Sequence, residues 1–164
     1  MTVLLTGLNP DLCRALIERL TLQGDEPRVI EPDHRQAGLY RSLGAHVAAG
    51  DGGDAELVER AAQGARTIFA GAEKLDGVVE GAMAAGTGRL VVLAETAGRA
   101  RPLLDVWPFD YVLIVHRRGW FRRKLSPETV AEALDAGDDF AGHPRLVLHL
   151  DDPEARRALG IPAG

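Results

Sequence analysis

Apolar runs of strand length alternate with segments of helical period along this chain, and that alternation constrains the fold more than any other feature. Residues 3–6, 28–31, 46–49, 67–70 and 90–94 read as five short strands, with 110–116 and 146–150 as two more. Between them lie helical patterns. In 10–23, Leu12, Leu16 and Leu20 repeat at helical spacing with Cys13 and Ile17 on the neighbouring row, Asn9 is placed as N-cap and Pro10 as the first helical residue. Helices are also expected over 34–43, over 55–63, over 73–85 with Leu75, Val78, Val79 and Ala82 inward, and after Asp152-Pro153. Strands alternating with helices in this way build βαβ units, so the pattern predicts a doubly wound, mostly parallel α/β sheet.

Composition narrows the class. A chain of 164 residues, 46% hydrophobic, is long enough for one domain with a sizeable core, and 1–164 is read as a single domain. Cys13 is the only cysteine, which excludes an intramolecular disulfide and a cysteine-clustered zinc site. No apolar run approaches the roughly 20 residues that span a bilayer, and no targeting segment precedes the first strand, so a cytoplasmic location is expected. A formal net charge of -5 argues against bulk attraction to nucleic acid.

The opening segment Thr6-Gly7-Leu8-Asn9-Pro10-Asp11-Leu12-Cys13 resembles the Thr-Gly-x-x-Gly-x-x-Gly turn of the short-chain dehydrogenase/reductase superfamily, in its atypical NmrA-like and epimerase-like branches. Gly7 fits the first glycine, Pro10 stands at the second and Cys13 at the third. Leu43-Gly44-Ala45-His46-Val47, with Gly50-Asp51 and Asp54, is similar to the superfamily's third strand and its Gly-Asp-x-x-Asp turn. Arg117-Arg118-Gly119-Trp120-Phe121 is similar to an Arg-Pro-Gly-Phe/Trp turn, and the segment 126–134 to a late helix of NmrA-like members. The resemblance implies a Rossmann-like domain.

It also implies where chemistry should lie. Catalytic members carry Tyr-x-x-x-Lys, but Tyr40 and Tyr111 are followed four residues later by Gly44 and Val115. Residues 96–109, with Pro102 and Pro108, leave no room for the helix that carries the pair. No catalytic residue is therefore assigned. Thr96 lies near the superfamily's catalytic Ser/Thr, but without a tyrosine partner it reads better as a polar loop residue after a strand, and Glu95 beside it is better suited to a polar contact.

For cofactor binding the resemblance points to Gly7, to Glu31 as ribose-hydroxyl acceptor, to Asp51 as adenine contact, and to Thr96. Glu31 and Asp51 would favour NAD over NADP. Against any dinucleotide, proline offers no N–H to a phosphate and Asp11 sets negative charge in the first helical turn. The expectation is no cofactor, or weakly bound NAD.

The basic run Arg117, Arg118, Trp120, Arg122 and Arg123 would suit an anion or partner contact: a solvated or interface loop, a phosphorylated small molecule, or, least of all, nucleic acid. Leu103, Leu104, Trp107 and Phe109 form an apolar cluster where the catalytic helix is missing, and are expected to serve self-association or a protein partner. Cys13, on the inward helical row, is read as a buried structural thiol, and the histidines show no metal-ligand spacing. Two functions remain: a non-catalytic Rossmann-like binding or assembly protein, or a small enzyme acting on a nucleotide-bearing or NAD-linked substrate at the strand C-terminal ends.

Overall fold

The computed structural model describes residues 1–117, 125–140 and 145–162. Among these residues seven strands form one sheet in the order β3-β2-β1-β4-β5-β6-β7: β1 (Thr2–Thr6), β2 (Glu26–Glu31), β3 (His46–Ala49), β4 (Thr67–Gly71), β5 (Arg89–Ala94), β6 (Asp110–Val115) and β7 (Leu146–His149). Every pairing is parallel. The order reverses between β1 and β4, and such a switch point opens a crevice at the carboxyl ends of the strands.

Two layers of helices cover the sheet. α1 (Pro10–Leu22), α2 (His34–Ser42), α6 (Pro127–Asp138) and α7 (Pro153–Ala158) pack on one face. α3 (Ala55–Ala62), α4 (Leu75–Ala85) and α5 (Ala97–Asp105) pack on the other. The central strands read as continuous apolar runs because both their faces are buried; β4 has no exposed residue. α1 starts as its sequence dictates, with Asn9 Oδ1 accepting from the Leu12 N–H and Pro10 in the first turn.

Residues 97–105, in the connection too short for a catalytic helix, form a helix of nine residues that the sequence reading did not include. Pro102 lies inside it, and its missing N–H is offset by what the helix buries: Ala100, Leu104 and the following Trp107 have no exposed surface. The Trp107 indole N–H donates to the Asp110 carbonyl at 3.3 Å, and its ring meets Phe109 edge-on at 5.4 Å. Leu104 and Trp107 therefore belong to the chain's own core and not to a partner surface. Val106 and Phe109, 66% and 44% exposed, stay at the surface.

A buried carboxylate ties the opposite end of the sheet. Asp138, in the last turn of α6, accepts from Thr67 Oγ1 at 2.8 Å and pairs with Arg66 at 2.5 Å, while Arg89 donates to its main-chain carbonyl. These partners stand at the starts of β4 and β5, far along the strands from the crevice.

Candidate functional site

The crevice is built by the turns that leave β1, β2, β3 and β4. Gly7 takes φ +65°, which bends the chain from β1 into α1. Gly71, at the end of β4, lies so close to that turn that a Cβ there would sit 2.0 Å from the Gly7 carbonyl oxygen. This contact brings the two turns together at the switch point. Thr6 Oγ1 fixes the third turn by donating to the Gly52 carbonyl at 3.1 Å.

The outer part of the crevice, about 310 Å³, is lined by Gly7, Leu8, Pro10, Cys13, Glu31, Asp51 and Lys74 among others. Three of the residues expected at a cofactor site, Gly7, Glu31 and Asp51, thus meet in one cleft. Thr96 does not line it; it is the exposed N-cap residue of α5 and its side chain makes no capping bond. An inner part of about 270 Å³ shares Gly7, Leu8 and Glu73 with the outer one and adds Asn9, Gly71, Glu95 and His116. Glu95 and His116 follow the last register pair of β5 and β6, Ala94 and Val115, so they leave adjacent strands side by side.

Lys74 was not foreseen. Its Nζ lies 2.9 Å from both carboxylate oxygens of Asp51, while the Gly53 N–H donates to Asp51 Oδ1 at 2.8 Å. The ammonium first, and the N–H second, hold the Asp51 carboxyl below its ordinary range. Asp51 is therefore ionised and engaged by a cation within the cleft. Lys74 sits in a 3₁₀ turn (Ala72–Lys74) whose position under Asp51 is set by the packing of β4 against β1, and no local motif announces it.

At the helix N-terminus the phosphate donors are few. Pro10 has none, and the Leu12 N–H is taken by Asn9 Oδ1, so only Asp11 is left to offer an N–H in the first turn, beside its own carboxylate. Glu31, Asp51, Glu73 and Glu95 line the two parts of the crevice, against Lys74 and the imidazole of His116. The buried Tyr40 hydroxyl lies near the Cys13 thiol and has no hydrogen-bond partner among the described residues. Burial pushes the thiol up to about 12, so Cys13 is a packed thiol and not a nucleophile.

Of the basic run, Arg117 is exposed just past β6, and Arg118, Trp120, Arg122 and Arg123 lie outside the described residues. No group of three metal-ligating side chains comes together among the described residues, and no helix there is long and apolar enough to cross a membrane.

No family model matches the sequence, and no curated protein does. Solved structures do match. An NADPH-dependent quinone oxidoreductase of Escherichia coli superposes with a TM-score of 0.72 at 19% identity, covering 92% of this chain and 68% of the other. The Citrobacter sp. triphenylmethane reductase complexed with NADP(H) gives 0.74 at 13% identity, covering 92% and 70%. An anaerobillin reductase of E. coli O157:H7 gives 0.72 at 14% identity, covering 91% and 96%. The fold is thus the Rossmann-like one of these reductases, and at that level the resemblance to the atypical short-chain dehydrogenases holds.

Proposed function

We propose that the protein is a ligand-binding relative of these reductases that works without their hydride-transfer chemistry, taking the nucleoside end of a small ligand in the outer cleft. The observation that carries this reading is the first turn of α1. With Pro10 and the Asn9 cap removing N–H donors and Asp11 adding charge, the crevice keeps a concave nucleoside-sized volume but loses its hold on a pyrophosphate. α5, Ala-Gly-Arg-Ala-Arg-Pro-Leu-Leu-Asp, fills the place after β5 and contains neither tyrosine nor lysine. Two of the neighbouring reductases are described with NADPH or NADP(H). Here Glu31 at the ribose end of the cleft would repel a 2′-phosphate, which favours NAD over NADP for whatever dinucleotide binding exists.

Calorimetric titration tests this. Adenosine and NADH should bind in the high-micromolar to millimolar range and NADPH should give no saturable heat. The double change Pro10→Gly, Asp11→Ser should strengthen NADH binding. Micromolar or tighter binding of NADPH to the wild type would overturn the reading.

A second reading, a small enzyme acting on a nucleotide-bearing substrate, is favoured by one observation: Glu73, Glu95 and His116 line the inner cleft, and a carboxylate beside an imidazole can move a proton. Oxidation of NADH or NADPH with a quinone acceptor, abolished by Glu95→Gln and by His116→Asn, would decide for it. The first reading expects no turnover.

A further inference from the structure

Beside the open edge of β3, meeting the crevice only at Val29, lies another cavity of about 460 Å³. Its basic lining is Arg28, Arg41, His46 and Arg60; the remaining lining residues are alanines and valines, with no carboxylate among them. In a chain of net charge -5, whose crevice is walled by Glu31, Asp51, Glu73 and Glu95, this is a local reversal of sign.

The four side chains come from four elements. Arg41 leaves the last turn of α2, Arg60 the last turn of α3, and Arg28 and His46 are register partners on β2 and β3. Arg28 Nη1 donates to the Ala61 and Gln63 carbonyls at 3.0 and 2.7 Å, which anchors its guanidinium at the end of α3. Among the described residues the Arg41 and His46 side chains have no hydrogen bond or ion pair, and Arg60 has only a 4.0 Å contact with Glu56, both being well exposed.

Helix dipoles favour a cation in each last turn, and edge strands carry charge against aggregation, so each residue taken singly has a structural account. Neither effect explains why they converge on one concavity. Guanidinium forks grouped around a small-ligand-sized volume match phosphate oxygens.

We propose that this cavity, which wraps the β3 edge, binds a small phosphorylated compound, with Arg60, His46 and the anchored Arg28 on the α3 side of the edge and Arg41 on the α2 side to hold its phosphate groups. The site is separate from the nucleoside cleft and does not depend on that assignment. Its probe is inorganic pyrophosphate, titrated calorimetrically into the full chain at constant ionic strength. The wild type should bind it saturably at one site. An Arg41→Gln, Arg60→Gln variant, changed at two exposed positions, should bind at least about tenfold more weakly with an unchanged circular dichroism spectrum. Arg41→Lys alone, which keeps the charge and removes the fork, should fall between them, and Lys74→Gln in the crevice should bind as the wild type does. Absence of saturable binding, equal binding by the double variant, or loss in Lys74→Gln would overturn the proposal. Binding of an oligoglutamate peptide but not of pyrophosphate would overturn it too, and would assign the β3 edge to an extended acidic chain.

Discussion

Cys13 stands where a glycine-rich turn would let α1 rest directly on the sheet, and here its side chain belongs to the packing, against the Tyr40 hydroxyl. Burial, with the charge of Glu31 adding to it and the Tyr40 contact opposing it, pushes the thiol from 9.0 up to about 12. The folded chain therefore keeps a proton that the unfolded chain loses above its ordinary thiol value. Stability is complete below that value and falls as pH rises towards about 12, by up to roughly 1.4 kcal/mol per pH unit. Urea unfolding of the wild type should show a loss of about 1 kcal/mol between pH ~8 and ~10 that Cys13→Ala does not share. The same burial predicts that a thiol reagent leaves the folded protein unmodified near neutral pH and reacts with it in urea.

Among the elements, α6 shows how an end of the sheet is held. Asp138 is 5% exposed and answers to Thr67, Arg66 and Arg89, which stand at the starts of two neighbouring strands. Asp135, one turn earlier in α6, receives Arg19 Nε at 2.5 Å and the Gln23 amide at 2.8 Å, so the helix is tied to α1 as well. Removing the Asp138 carboxylate leaves Arg89, mostly buried, without its counter-charge. Asp138→Ala should cost about 3 kcal/mol in chemical denaturation, and Asp138→Asn, which can still accept from Thr67, should cost less. Both variants should retain whatever ligand binding the crevice has, since the network lies at the opposite ends of the strands.

For the molecule as a whole, charge is sorted by place. Carboxylates gather at the crevice, arginines gather at the β3 edge, and the corner near α5 carries the exposed apolar residues Val106 and Phe109. Among the described residues, self-association through that corner has those two residues and half-buried Leu103 to draw on, because Leu104 and Trp107 are interior. Such an interface requires a wild type that sediments as a dimer and a Val106→Ser, Phe109→Ser variant that sediments as a monomer. A monomeric wild type removes it.

Much of this was legible before any coordinates. The strand and helix periods located seven strands to within a residue or two, the Asn9-Pro10 cap, and the inward row of α1, because these depend on local spacing and on a core that both faces of a parallel sheet require. The resemblance to short-chain dehydrogenases pointed to Gly7, Glu31 and Asp51, and the turns after β1, β2 and β3 bring those three into one crevice. Residues distant in sequence could not be placed. α5 escaped because Pro102 and Gly98 weaken its local preference, and only the burial of Leu104 and Trp107 against the sheet makes the helix worth forming. The grip of Lys74 on Asp51 and the meeting of Arg28, Arg41, His46 and Arg60 escaped for the same reason. The chain's local pattern determined which segments became strands and helices, whereas strand order and helix packing decided which charges face one another, since electrostatic partners are chosen by distance in space.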